Sequence, residues 1–162
     1  MLSTAYIALG ANLGDPASQV STAMTQLDRL PQSRLLATSS LYRSAPQGNV
    51  TQQPDYVNAA AALQTNLPPY ALLDALLEIE TQYGRVRGLK NAARELDIDL
   101  LLYGDEQCST LDLSLPHPRM HLRAFVVLPL LEIASDLWIP GRGPLAAWLP
   151  AVAYQKVHQI NL

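Results

Sequence analysis

Apolar positions along the chain alternate between strand-like and helix-like spacing. Thr4-Ala-Tyr-Ile-Ala-Leu-Gly10 is a short apolar run closed by glycine, the pattern of a buried strand. Asp15 before Pro16 marks a helix start: a side-chain oxygen to cap the first turn, then a residue whose φ is already helical. Val20, Ala23, Met24, Leu27 and Leu30 follow at helical spacing, and Pro31 is read as the stop. Leu35 to Tyr42 reads as a second strand, Tyr56 to Gln64 as a third and Leu96 to Tyr103 as a fourth. Between the second and third lies a long polar loop, Ser44 to Asp55, whose length suits function better than mere connection. Pro68 opens a helix to about Tyr83, closed by Gly84. Phe125 to Ala134 reads as helical despite Pro129, and Pro144 to Leu149 as a short terminal helix. The order β-α-β-β-α-β predicts one domain of the α+β class, with a ferredoxin-like core, a mainly antiparallel sheet and additional C-terminal helices.

The second helix breaks its own pattern. Leu72, Leu73, Leu76, Leu77, Ile79 and Tyr83 form its apolar stripe, with Asp74, Glu78 and Gln82 opposite. Glu80 falls inside the stripe, where a carboxylate needs a partner. A basic loop follows at once: Arg85, Arg87, Lys90 and Arg94 among small residues.

Composition narrows the possibilities. The chain has 162 residues, 49% of them hydrophobic, and a net charge of −3. That is ordinary globular composition with no overall attraction for nucleic acid. The single cysteine, Cys108, permits no internal disulfide and points to a reducing compartment. The first residues lack a basic region and a long apolar run, so no signal peptide and no membrane span are expected, and the expected location is cytoplasmic.

Candidate chemistry centres on Arg94-Glu-Leu-Asp97-Ile-Asp99. On a strand, Leu96, Ile98, Leu100 and Leu102 share one face and Asp97 and Asp99 the other, with Cα atoms about 6.6 Å apart. Two carboxylates on one face suit either a solvated strand or a hard divalent cation such as Mg²⁺. Six of the eleven Lys and Arg residues lie between positions 85 and 123, which favours a metal-bound polyphosphate. His117 and His121 fall in the same interval, but Pro116 and Pro118 argue against a zinc-binding helix there. Gly10-Ala-Asn-Leu-Gly14 lacks a phosphate-loop signature and reads as a tight turn. Tyr56 and Asn58 share a strand face and offer a ring and an amide to a flat heterocycle.

Several of these stretches together resemble the 6-hydroxymethyl-7,8-dihydropterin pyrophosphokinases of folate biosynthesis. They are Ala5 to Gly14, Ser40-Leu-Tyr-Arg-Ser44, Gln53-Pro-Asp-Tyr-Val-Asn58, Glu80 with Gly84-Arg-Val-Arg87, Arg94 to Asp99, and Pro116-His117 with Arg123-Ala-Phe125. The resemblance implies transfer of pyrophosphate from ATP to the pterin hydroxymethyl oxygen, with release of AMP. It implies two Mg²⁺ ions on Asp97 and Asp99, with Arg85 and Arg94 completing the catalytic set. Arg85, Arg87, Arg94, Leu100, Leu113, His117 and Arg123 would form the ATP site. Ser44, Ala45, Gln47, Tyr56, Asn58 and Phe125 would hold the pterin, and Glu80 would orient this machinery from inside. The implied partners are these two small molecules, with no nucleic acid and no membrane, and the protein is expected to act as a monomer. Many members carry a tryptophan before the arginine matching Arg94, whereas Lys90-Asn-Ala-Ala has no aromatic.

Overall fold

The structure, a computed structural model, describes residues 2–45, 54–84 and 96–160. In chain order the elements begin with β1 (Ser3–Ala11), α1 (Pro16–Leu27), β2 (Ser33–Thr38), β3 (Tyr42–Ser44) and β4 (Tyr56–Thr65). They continue with α2 (Pro69–Gly84), β5 (Asp97–Tyr103), β6 (Cys108–Ser109), β7 (Ser114–Leu115), α3 (Ala124–Ile133) and β8 (Trp138–Ile139). The last are β9 (Gly143–Pro144), α4 (Leu149–Val152) and β10 (Val157–Gln159). Short 3₁₀ turns cover Met120–Leu122 and Leu145–Trp148.

The main sheet runs β10-β3-β4-β1-β5, and β2 also pairs with β4. All its pairings are antiparallel. Taking β1, α1, β2, β4, α2 and β5 alone recovers the expected βαββαβ core. Alternation along β1 divides the molecule into layers. Ala5, Ile7, Leu9 and Ala11 face a core built with Val20, Ala23 and Leu27 of α1 and Leu72, Leu76 and Ile79 of α2. Tyr6 and Ala8 face the opposite side, packed with α3 and the C-terminal segment through Val127, Leu130, Ile139, Leu145 and Val152.

Local chemistry explains the boundaries. Asp15 caps α1 by accepting the Ser18 N–H at 3.3 Å, with Pro16 at the first helical position. The helix stops at Leu27, short of Pro31. The expected strand from Leu35 to Tyr42 is two strands instead. Ser39 interrupts it: its N–H bonds to Ala60 O, and its Oγ accepts the Ala60 N–H, both at 2.8 Å. The serine side chain thereby replaces a ladder partner, and residues 39–41 are set apart from regular pairing.

Two packing expectations are corrected. On β5, Tyr6 faces Leu102 while Ile7 faces Leu100, so Leu101 is an extra residue in the ladder. Leu96, Ile98 and Leu100 therefore stay with the α1/α2 core, whereas Leu101 and Leu102 join the α3 side. On α2, Leu77 (43% exposed) and Tyr83 (39% exposed) lie outside the buried stripe of Leu72, Leu76 and Ile79. Gly10 belongs to β1, not to a turn; Gly14, with φ of 67°, makes the turn. No helix among the described residues is long and apolar enough to cross a membrane.

Candidate active site

Near the ends of β1, β4 and β5, the sheet face that α3 covers is left open, and a cavity of about 250 Å³ forms there. The register decides which side chains reach it. One row across the sheet reads Tyr42, Asn58, Gly10, Asp97; the adjacent row reads Ala60, Ala8, Asp99. Bulky side chains at positions 8 and 10 would fill the middle of both rows. Alanine and glycine leave it empty, so the carboxylates of β5 and the polar groups of β4 face each other across a shallow floor.

The cavity is lined by Ser44, Ala45, Tyr56 and Asn58 on one side, Asp97 and Asp99 on another, and Arg123, Phe125 and Val126 at the start of α3. Asn58 and Ser44 are both buried, and Asn58 Nδ2 donates to Ser44 Oγ at 2.7 Å. That bond fixes the amide. Asn58 Oδ1 then points toward Gly10, where an added Cβ would lie only 3.1 Å away. Phe125, the single phenylalanine, carries the Arg123 guanidinium 5.5 Å from its ring centroid. That is a cation–π distance, so an aromatic wall and a cationic group are held as one unit.

Asp97 and Asp99 are exposed on one face of β5, while Ile98 between them is buried behind. Two hard oxygen donors open to a cavity fit a divalent cation better than a softer metal. The strand carrying them is held from the rear. Glu80, only 4% exposed, accepts the Ile98 N–H at 2.7 Å through Oε2. Among the described residues β5 is an edge strand, and Glu80 occupies part of its outer hydrogen-bonding edge. The carboxylate that looked misplaced in the apolar stripe thus has a partner, between the two aspartates.

His117 stands beside the cavity, outside its lining. Its N–H bonds to Leu101 O at 2.8 Å, fastening the loop after β7 to β5, and its own carbonyl accepts Arg142 Nη1 at 2.8 Å. Burial pushes the His117 imidazole below its ordinary pKa. Asp99 pulls the other way, and Arg123, Arg119 and Arg142 add to the lowering. The Arg119 N–H donates to His117 Nδ1 at 3.1 Å, so the neutral ring carries its proton on Nε2. His121 is buried edge-on to Trp148, ring centroids 4.5 Å apart, and burial lowers its pKa as well.

Of the residues the sequence singled out, the structure brings Ser44, Ala45, Tyr56, Asn58, Asp97, Asp99, Arg123 and Phe125 around one cavity. Leu100 and Leu113 are buried side chains of the α1/α2 core. Gln47, Arg85, Arg87 and Arg94 lie outside the described residues, as does the Gly88–Ala93 loop. The sequence reading missed Ala8, Leu9, Gly10 and Val126 as lining. For Ala8 and Gly10 the signal was a small pair at alternate positions of β1, which only the partner strands make meaningful.

Comparison with known proteins is consistent across the chain. The family described as 7,8-dihydro-6-hydroxymethylpterin-pyrophosphokinase (HPPK) matches residues 6–135. The 2-amino-4-hydroxy-6-hydroxymethyldihydropteridine pyrophosphokinase of Haemophilus influenzae is 45% identical over 98% of this chain and 98% of its own. That of Pseudomonas aeruginosa is 43% identical over 99% and 98%. Among solved structures, Plasmodium falciparum HPPK-DHPS with pteroate superposes with a TM-score of 0.73 over 95% of this chain at 14% identity, a likeness of fold. This chain spans 42% of the length of that one.

Proposed function

The chain belongs to the 7,8-dihydro-6-hydroxymethylpterin-pyrophosphokinase family, and we propose that it transfers the pyrophosphoryl group of Mg-ATP to the hydroxymethyl oxygen of the pterin, releasing AMP. Pyrophosphokinase activity on the hydroxymethyldihydropterin, a step of folate biosynthesis, follows from that membership. The observation that carries the finer reading is the single cavity holding two carboxylates, a guanidinium, a fixed amide and two aromatic rings.

In this reading the pterin lies between the rings of Tyr56 and Phe125. Asn58, its amide nitrogen engaged by Ser44, presents Oδ1 as an acceptor to an N–H of the ring edge. Backbone groups at Ser44 and Ala45 complete that side. Arg123 meets phosphate oxygens, and Arg85, Arg87 and Arg94 are assigned to the triphosphate on charge and sequence position. Asp97 and Asp99 would hold two magnesium ions, which when bound offset the charge on the phosphate oxygens. The hydroxymethyl oxygen forms a bond to the β-phosphorus, the bond from that phosphorus to the α,β-bridging oxygen breaks, and the hydroxyl proton is released. The residues supply position and electrostatics, with no covalent intermediate on the protein. His117, its Nδ1 engaged by the Arg119 N–H, offers its Nε2–H as a donor to the nucleotide.

Incubation with Mg-ATP and 6-hydroxymethyl-7,8-dihydropterin tests this directly, with AMP measured against pterin consumed. We expect one AMP per pterin, and a fall of roughly a hundred- to a thousand-fold in Asp97→Ala. AMP formation that survives Asp97→Ala overturns the metal assignment. Pterin binding without AMP would make the cavity a binding module only.

A further inference from the structure

One exposed carboxylate of α3, Glu132, is bonded to Ser40 and to Tyr42 of β3. Glu132 lies on α3 seven residues, about two helical turns, beyond Phe125, so the two project from nearly the same side of the helix. Its Oε2 accepts the Ser40 N–H and the Ser40 hydroxyl, both at 2.9 Å, and its Oε1 accepts the Tyr42 hydroxyl at 2.6 Å. Ser40 Oγ also accepts Gln159 Nε2 of β10 at 3.0 Å. Burial alone would raise the Glu132 pKa, but the bonds from Tyr42 and Ser40 outweigh it and hold the carboxyl below its usual range. Burial and Glu132 together push the Tyr42 hydroxyl far up, which keeps it a donor. Hydrogen bonds to an ionised acceptor are the strong ones.

Neither Glu132 nor Tyr42 lines the cavity. Their position gives the network its meaning. Ser40 lies between the Ser39–Ala60 bonds and the start of β3, in a stretch where it has no register partner on β4 and its N–H goes to Glu132 instead. Tyr42 stands opposite Asn58 and two residues before Ser44. The segment that delivers Ser44 and Ala45 to the cavity, paired with β4 and β10 along β3, is thus also tied to α3, the helix that delivers Phe125 and Val126. A flat ring held between two walls is sensitive to their separation, and misplacement by about 1 Å can cost on the order of a hundred-fold in rate.

We propose that Glu132 is a positioning residue for the pterin: through Ser40 and Tyr42 it fixes the spacing between the Phe125 wall and the Ser44–Asn58 wall. This rests on the pterin reading of the cavity. Glu132→Gln keeps the shape but turns an amide N–H against donors, while Tyr42→Phe removes one arm and leaves the Ser40 bonds. In wild type, both single variants and the double variant, KM is measured for 6-hydroxymethyl-7,8-dihydropterin and for ATP, with thermal unfolding alongside. The expected result for Glu132→Gln is a pterin KM raised about ten-fold and an ATP KM within about two-fold. The double variant should be no worse than roughly the larger single effect, because both substitutions break one clamp. An equal rise for both substrates, or an unchanged pterin KM in folded Glu132→Gln, overturns the proposal. Should Glu132→Gln not fold, Tyr42→Phe decides on the same criterion. A wild type that neither binds nor consumes the pterin sinks the reading of the cavity itself, a result visible without any variant.

Discussion

Adding one methyl group at Gly10 sets the fold against the site. Gly10 is a β-strand residue with no positive φ, so alanine is conformationally allowed there. Glycine inside a strand costs about 0.5–1 kcal/mol relative to alanine, and backbone energetics alone would make Gly10→Ala slightly stabilising. The new Cβ, however, would stand 3.1 Å from Asn58 Oδ1 and 3.8 Å from Val57 O. The second distance is ordinary contact; the first requires the amide to yield by a few tenths of an ångström. Asn58 has little freedom to do so, being 4% exposed and bonded to Ser44 Oγ at 2.7 Å. Rotating it away weakens that bond and mis-aims the acceptor offered to the pterin. Losing about one net hydrogen bond is ~1–1.5 kcal/mol, close to ten-fold in affinity. Titrating 6-hydroxymethyl-7,8-dihydropterin into wild type and Gly10→Ala, with urea unfolding of both, gives the two numbers needed. The backbone gain and the weakened Asn58–Ser44 bond nearly cancel, so we expect stability within about 1 kcal/mol of wild type and pterin affinity about ten-fold lower. Undiminished pterin affinity would refute the role given to Gly10 and to the orientation of Asn58.

Other consequences follow from named groups. Glu80→Ala strips the buried Ile98 N–H of its acceptor and should cost about 1–3 kcal/mol in urea unfolding, with Glu80→Gln closer to ~1; an alanine variant as stable as wild type would show that the bond contributes nothing. Because Ile98 separates the two aspartates, the rate of AMP formation in Glu80→Ala should also fall under conditions where the variant stays folded. Phe125→Ala should weaken pterin binding more than ATP binding, and equal losses measured by titration would argue against stacking. His121 has its pKa lowered by burial, so the unfolded chain binds its proton first as pH falls below the ordinary value of 6.5. Its contribution therefore makes stability decline toward acid; His121→Phe should flatten that part of the profile, and an unaltered slope would contradict it.

How much could be seen in advance depended on whether a signal was local. Asp15 and Pro16, the stripe of α1 and the alternation around Asp97 and Asp99 are written within a few residues, and each appears in the structure. Glu80 was visible because a carboxylate within an apolar stripe demands a partner, although the partner, a backbone N–H of β5, was not. What escaped was non-local. The extra residue at Leu101 exists only in relation to β1, and it turns Leu102 to the other face. Ser39 breaks a strand by bonding to Ala60, which its neighbours do not foreshadow. β10 joins the sheet beside β3 from the far end of the chain, and a three-residue strand has too little pattern to announce itself. For the site, types of residue were legible and enclosure was not: Tyr56, Asn58 and Phe125 suggested a heterocycle, while the empty floor came from Ala8 and Gly10 through register.

The central place of β1 bears on how the molecule assembles. It is flanked by β4 and β5, with Ser3 opposite Thr65 and Ala5 opposite Tyr103. Contacts so distant in sequence must overcome loop-closure entropy before they return any stabilisation, which slows folding relative to a helical protein of similar size. On a growing polypeptide, β1 waits for residue 103 before its second neighbour exists. Only then do Ala8 and Gly10 become a floor, and ligand binding is coupled to a late event in folding.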